Sequence, residues 1–180
     1  MKWLIASDIH GSAWWCERLL ELFRAEQADR LVLLGDILYH GPRNPLPRDY
    51  DPARVAAMLN EVRDSILCVQ GNCDSQVDQL VLDFPIMADY ALLPHEKKLI
   101  FVTHGHMHNC DAPPMLKKGD VLLHGHTHLA VCQNCGDYTY INPGSVSLPK
   151  GEHPNSCLIF EDGVFTWKYM DGQSFMSFEI

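Results

Sequence analysis

Short apolar runs alternate with segments of helical spacing through the first half of the chain. Three runs have the length of buried strands: Lys2–Ser7, Arg30–Leu34 and Ser65–Val69. The segments between them carry apolar residues three and four positions apart. They predict a helix over Trp14–Glu26 with Ser12 as N-cap, and a second helix that begins at Pro52. This half therefore predicts the element order βαβαβ.

The second half is rich in hairpin signals, and it contains one further short strand at Val121–Leu123. Three pairs of segments predict hairpins: Tyr90–Leu93 with Lys98–Thr103, Ala130–Gln133 with Tyr138–Ile141, and Cys157–Phe160 with Val164–Trp167. Two packed mixed sheets with helices outside would accommodate both halves. We expect one α/β domain over residues 1–180.

Composition excludes several classes of protein. The 180 residues are 47% hydrophobic and 21% charged, and no apolar stretch approaches the ~20 residues that span a bilayer. We find no export signal, and the odd count of seven cysteines suggests no disulfide framework, so we expect a cytoplasmic protein without a membrane partner. The formal net charge of −9 argues against a dedicated nucleic-acid groove.

Polar residues that bind metals follow the predicted strands. Six of the ten histidines lie in two short blocks, 104–108 and 124–128. Seven candidate ligands stand just after five strands: Asp8, His10, Asp36, Asn72, His104, His126 and His128. Strand ends of an α/β sheet converge on one edge, so we expect these side chains to meet. Spacing alone leaves His106 and His108 as alternatives to His104.

The mixed set of carboxylates, imidazoles and one amide is typical of borderline divalent ions. We expect two divalent ions, Mn²⁺ first, with Zn²⁺, Fe²⁺, Co²⁺ or Ni²⁺ as alternatives. Seven ligands are too many for one ion and suffice for two if Asp36 bridges them. Two ions about 3.5–4 Å apart stabilise both the attacking and the leaving oxygen in phosphoryl transfer.

Five short motifs then make the pattern specific. They are Asp8-Ile9-His10-Gly11, Gly35-Asp36, Gly71-Asn72-Cys73-Asp74, Thr103-His104-Gly105-His106 and Gly125-His126-Thr127-His128. In this order they resemble the calcineurin-like metallophosphoesterases. The chain length, the Asn-Cys-Asp sequence and the loop at Gly41–Asn44 are similar to the small bacterial and archaeal phosphodiesterase branch of that family. The likeness ends near Asn142-Pro143-Gly144-Ser145, which the family places beside the metals.

The resemblance implies a four-layer αββα sandwich and a phosphoric diester hydrolase. It implies one ion held by Asp8, His10, Asp36 and His128, and a second held by Asp36, Asn72, His104 and His126. It favours His104 over His106, which becomes a catalytic or substrate-facing residue. It also implies direct hydrolysis by a hydroxide that bridges the two ions, on a small phosphodiester substrate.

Other residues near the ligands have expected roles of their own. Larger relatives carry histidine where this chain has Cys73, a less usual acid, so we expect good leaving groups to be favoured over poor ones. Asp74 is expected to orient a ligand histidine or the Asn72 amide. The loop after Asp36 offers three candidate substrate-binding residues, His40, Arg43 and Asn44.

Two other classes of function compete with this hypothesis. Some proteins of this fold are scaffolds that have lost metal ligands, whereas all seven positions are intact here. A phosphomonoesterase is the second alternative, and it is weakly disfavoured because Arg43 is the main candidate cation near the site. Exposed hairpin edges also leave a homo-oligomer open.

Overall fold

The computed structural model describes residues 1–180. Its first half consists of β1 (Trp3–Ala6), α1 (Ala13–Ala25), β2 (Arg30–Leu33), α2 (Pro52–Asn60) and β3 (Ile66–Cys68), which confirms the predicted βαβαβ order. The Ser12 side chain caps α1 by accepting from the backbone N–H of Trp15. Asp51 caps α2 in the same way, and Pro52 opens the helix where no backbone donor is needed.

Strands dominate the second half. They are β4 (Tyr90–His95), β5 (Lys98–Thr103), β6 (Asp120–Leu123), β7 (Ala130–Asn134), β8 (Tyr138–Pro143), β9 (Ser156–Glu161), β10 (Val164–Tyr169) and β11 (Ser174–Glu179). The three predicted hairpins are present as the antiparallel pairs β4–β5, β7–β8 and β9–β10. Strand β11 was not predicted, because its apolar residues do not alternate cleanly with polar ones.

The strands form two mixed sheets. The six-stranded sheet has the order β11-β10-β9-β1-β2-β3, and the five-stranded sheet has the order β4-β5-β6-β8-β7. Strands β1, β2 and β3 run parallel, as do β5, β6 and β8. The carboxyl ends of the strands that precede the candidate ligands therefore lie at shared sheet edges.

Alternate residues of the central strands divide between two cores. Leu4, Leu31 and Leu33 pack with α1 and α2, whereas Ile5 and Val32 pack between the sheets. Both α-helices thus lie on the outer face of the six-stranded sheet. On the outer face of the five-stranded sheet, His108 packs edge-on against Phe101.

Two local features differ from the sequence pattern. Strand β4 continues through Pro94, which is tolerated because β4 is an edge strand with no partner on one side. Val62 keeps the apolar spacing of the second helix but lies beyond the end of α2 at Asn60. Neither helix combines the length and hydropathy needed to cross a membrane.

Candidate metal centre

The candidate ligands lie on tight loops that follow the strands. Nine non-glycine residues have positive φ, and five of them are candidate ligands: Asp8, His10, Asp36, His126 and His128. Left-handed backbone is unfavourable for such residues and concentrates at functional sites. The strained loops turn these side chains back toward one place between the two sheets.

A first cluster is buried and centres on Asp8. His128 Nε2 lies 3.2 Å from Asp8 Oδ1, and His10 Nε2 lies 3.6 Å from the same oxygen. The two Nε2 atoms are 3.3 Å apart, and His10 Nε2 lies 3.7 Å from Asp36 Oδ2. Asp8 Oδ1 has no hydrogen-bond donor although it is buried. A cation would satisfy this oxygen, which otherwise carries an uncompensated desolvation cost.

A second cluster faces the solvent and shares Asp36. His104 Nε2 lies 3.5 Å from Asp36 Oδ1 and 3.0 Å from Asn72 Oδ1. His126 Nδ1 lies 3.2 Å from His104 Nε2. Asn72 is exposed and His126 is half-buried, so this cluster opens toward the surface. The structure thus brings all seven predicted ligand side chains together, with one Asp36 oxygen toward each cluster.

Backbone carbonyls fix the orientation of three of the imidazoles. Nδ1 of His10 lies 2.8 Å from the Tyr39 carbonyl oxygen, and Nδ1 of His104 lies 2.7 Å from that of Leu34. Nδ1 of His128 pairs likewise with the Leu148 carbonyl at 2.5 Å. A carbonyl can only accept, so each Nδ1 must carry the proton. Each Nε2 then keeps its lone pair toward the cluster, as a metal ligand requires.

The buried carboxylate and imidazoles shift one another's pKa values. Burial disfavours ionisation of Asp8, but the adjacent His10 and His128 outweigh it and hold its pKa well below its usual value. Burial likewise opposes protonation of His10, and the Asp8 carboxylate outweighs it, so that the pKa of His10 is raised. Burial and the proximity of His104 lower the pKa of His126. Protons and a divalent cation would therefore compete for the Nε2 lone pairs of the buried cluster.

Asp74 contacts the backbone rather than the groups expected from the sequence. Its Oδ2 accepts from the backbone N–H groups of Asp36 at 2.8 Å and Gly71 at 2.7 Å, and its Oδ1 accepts from that of Ile37 at 2.8 Å. No ligand histidine and no Asn72 amide bonds to it. Asp74 is thus a positioning residue that ties the loop after β2 to the loop after β3.

The segment Asn142–Ser145 supports the site from behind. Asn142 Nδ2 donates to the Gly125 carbonyl at 2.8 Å, which fixes the loop between His124 and His126. Ser145 Oγ donates to the Asp8 carbonyl at 2.8 Å. The segment expected beside the metals therefore holds the backbone of two ligand loops.

A polar pocket of about 520 Å³ opens over the second cluster. Arg43 and Asn44 line it, together with Asn72 and His126. His40 does not line it, because its ring packs edge-on against Tyr39 and Tyr50. The His40 carbonyl accepts from Asn44 Nδ2 at 2.8 Å, so His40 shapes the loop.

Lys150 also lines the polar pocket and was missed from the sequence. It is exposed, and its backbone N–H donates to the His128 carbonyl at 3.2 Å. Nothing in the sequence around Lys150 distinguishes it from other surface lysines. Its position follows from the loop that wraps around His128, which only the folded chain shows.

The other histidines of the two blocks have distinct surroundings. His106 is exposed, with its ring centroid 5.4 Å from that of His104, at the rim of the second cluster. His124 stacks on Tyr140 at 4.3 Å, and burial lowers its pKa to about 4. His108 contacts Phe101 on the outer sheet face. Only His104 of the first block lies among the ligands.

Cys73 lies at the edge of the second cluster. Its backbone N–H donates to Asp36 Oδ1 at 2.8 Å. Burial and the neighbouring Asp36 carboxylate raise the pKa of its thiol well above the usual value. The side chain is therefore a neutral thiol in the wall of the pocket.

Several known proteins are similar to this chain in sequence or in fold. Phosphodiesterase YfcE of Escherichia coli is 48% identical over 177 residues, which cover 98% of this chain and 96% of that protein. A solved structure of YfcE, described as a phosphoesterase, has a TM-score of 0.96 at 46% identity and covers both chains completely. Vacuolar Protein Sorting 29 from Cryptosporidium parvum has a TM-score of 0.62 at 14% identity, over 99% of this chain and 98% of that one. That likeness shows a shared fold alone.

A family model gives the most general result. The model described as the calcineurin-like phosphoesterase superfamily domain matches residues 1–162. This range includes all seven candidate ligands and both sheets apart from β10 and β11. The chain therefore belongs to the calcineurin-like phosphoesterase superfamily.

Proposed function

We propose that this protein is a metal-dependent phosphodiesterase that hydrolyses a small phosphodiester by direct attack of water. The position of Asp36 carries the proposal. Its Oδ2 faces His10 of the buried cluster at 3.7 Å, and its Oδ1 faces His104 of the solvent-facing cluster at 3.5 Å. One carboxylate between two sets of ligands is the arrangement that a two-metal site requires. The 48% identity to a named phosphodiesterase supports the same activity.

The residues present fit two divalent ions. Asp8, His10, Asp36 and His128 would hold one ion, and Asp36, Asn72, His104 and His126 would hold the other. The partnerless Asp8 Oδ1 and the three carbonyl-oriented imidazoles support this assignment. When bound, the ions supply a hydroxide nucleophile near neutral pH and positive charge opposite the phosphoryl oxygens. We propose Mn²⁺, with Zn²⁺, Fe²⁺, Co²⁺ and Ni²⁺ as alternatives that this donor set also accepts.

Other residues of the chain bind and position the substrate. Arg43 and Lys150 line the pocket and place two positive charges where a phosphate diester would enter. Asn44 lines the same wall and offers an amide donor. His106, at the rim, stays a candidate for contact with the substrate. Asp74 holds the Asp36 loop in place through three backbone N–H groups.

The scaffold hypothesis has less support than the enzyme hypothesis. Asp8 and Asp36 are both buried, and burying two carboxylates costs free energy without any benefit to a scaffold.

All seven cysteines are free, which suits the reducing cytoplasm where we propose that the enzyme acts.

Hydrolysis of chromogenic esters tests the proposal. Purified protein is stripped with a chelator, reloaded with Mn²⁺ and assayed on bis(p-nitrophenyl) phosphate and on p-nitrophenyl phosphate. We expect the diester to have the higher kcat/KM, and we expect chelation to abolish turnover. Equal or greater activity on the monoester would favour a phosphomonoesterase instead.

The matched control is Asp36→Asn, which keeps the shape of the side chain and removes its charge. We expect this variant to lose turnover and to bind less Mn²⁺ by elemental analysis. If the protein is a scaffold, it should retain little metal, and wild type and Asp36→Asn should both show no turnover.

A further inference from the structure

An apolar groove adjoins the polar pocket and is not used by the metal centre. It has a volume of about 780 Å³, within the range of small-molecule sites. Most of its lining is apolar, and the wall is formed by α2, by the loop after β2 and by the segment after β3. Ala53 and Ala57 contribute adjacent turns of the same face of α2, and both are exposed.

The groove shares residues with the walls and supports of the site. Cys73 lines both the groove and the polar pocket, so one side chain separates them. Tyr39, which is 41% exposed in the groove, holds His10 through its backbone carbonyl at 2.8 Å. A substituent of a phosphate bound in the polar pocket therefore has to pass only Cys73 to enter the groove.

Charge limits what the groove accepts. Asp78 is the only charged residue in its lining, and its Oδ2 already accepts from the N–H and Oγ of Ser75 at 2.8 and 2.9 Å. No lysine or arginine lines it, in contrast to Arg43 and Lys150 in the polar pocket. Val77, 70% exposed, adds apolar surface at the opening. An anionic group would be repelled there, whereas an uncharged apolar group would be favoured.

We propose that this groove is a subsite for one ester substituent of the substrate, and that the substituent is an uncharged aromatic or aliphatic group. The inference rests on the proposed phosphodiesterase function and adds the substrate class. A phosphodiester carries two substituents, of which one enters the groove while the charged phosphoryl group stays in the polar pocket.

Competitive inhibition tests the subsite. Hydrolysis of bis(p-nitrophenyl) phosphate by the Mn²⁺-loaded protein is inhibited with diphenyl phosphate and with dimethyl phosphate, which differ in the apolar group but not in charge. We expect diphenyl phosphate to have the lower Ki by at least about tenfold, equivalent to about 1.4 kcal/mol. Ala57→Glu places a charge on the groove wall and should raise the Ki of diphenyl phosphate by about the same factor, with little change for dimethyl phosphate.

Controls separate the possible failures. Ala25→Glu adds the same charge on α1, away from the groove, and should leave both Ki values unchanged. Ala53→Glu adds a charge to the groove wall one turn away and should repeat the effect of Ala57→Glu. Equal Ki values for the two esters, or an equal effect of Ala57→Glu on both, would overturn the subsite while the diesterase stands. Sedimentation that shows a wild-type dimer and a monomeric Ala57→Glu variant would also overturn the subsite, because a second copy of the chain would then cover the groove. Absence of Mn²⁺-dependent hydrolysis would instead refute the parent function, and the subsite with it.

Discussion

The carboxylate of Asp74 lies 2.8 Å from the backbone nitrogen of Asp36, a residue 38 positions earlier in the chain. The same Oδ2 accepts from Gly71, so one buried side chain joins the loops that carry Asp36 and Asn72. The position of Asp36, which both clusters share, thus depends on Asp74, a residue that offers no atom to a metal itself.

Asp74→Asn should weaken this junction without removing any ligand. The amide replaces one acceptor oxygen with a donor group and leaves at least one buried backbone N–H unsatisfied, which costs about 1–3 kcal/mol. We expect urea unfolding to show that loss, and we expect kcat/KM to fall about 10–100-fold, as for other groups that support metal ligands. Asp83→Asn, an exposed substitution, is the control. Unchanged Mn²⁺ affinity in Asp74→Asn would contradict the positioning role.

Arg43 and Lys150 should contribute to substrate binding more than to stability. Both are exposed and line the polar pocket, so their replacement by alanine should leave the free energy of unfolding within about 0.5 kcal/mol of wild type. Each substitution removes a charge-assisted contact worth about 1.5–3 kcal/mol, so we expect KM for a phosphodiester to rise at least about tenfold. Steady-state kinetics on both variants, with Lys118→Ala as a surface control, would measure this. If the KM of Lys150→Ala equals that of wild type, Lys150 does not bind the substrate.

The convergence of ligands was predictable because it follows from strand direction. Parallel strands end at the same edge, and the sequence shows polar residues after each of them. The identity of the ligand within the first histidine block was not predictable from spacing. That choice depends on a turn that buries His104 against the Leu34 carbonyl and leaves His106 exposed.

The residues that support the site were harder to predict. Asp74 was recognised as acidic and near a ligand, but its partners are backbone N–H groups, which are present at almost every position and leave no sequence signal. Lys150 reaches the pocket because residues 148–150 wrap around His128. Such placements depend on tertiary packing rather than on local pattern.

Gly125→Ala should disrupt the buried cluster through a steric clash. A Cβ at this position would overlap Ser7 Oγ and lie 2.8 Å from Asp8 Oδ2, so the loop or Asp8 must move. Misplacement of a ligand by about 1 Å can cost about 100-fold in rate, and we expect a loss of that order together with weaker Mn²⁺ binding. The double variant Ser7→Gly/Gly125→Ala removes the closest contact and should recover part of the activity. No recovery would indicate that the clash with Asp8 dominates.

Glu26 should make stability depend on acid pH through an ion-pair cluster distant from the metal centre. Its carboxylate accepts from Lys168 Nζ at 2.5 Å and lies 3.5 Å from Lys2 Nζ. Burial favours the neutral acid, but Lys168 and Lys2 outweigh it and lower the pKa of Glu26. Because the folded pKa lies below the unfolded value of about 4.3, the stabilisation is complete above that pH and is lost as the pH falls through the folded pKa.

Lys168→Met should remove most of this stabilisation, so that the free energy of unfolding at pH 7 falls by about 1 kcal/mol. The difference from wild type should shrink when urea unfolding is measured at successively lower pH, because Glu26 becomes protonated in both proteins once the pH falls below its folded pKa. Lys117→Met, at an exposed lysine outside any ion pair, controls for the change in net charge. A difference between wild type and Lys168→Met that stays constant down to the lowest pH at which both proteins fold would show that the lysine stabilises the fold through packing of its aliphatic chain rather than through its charge.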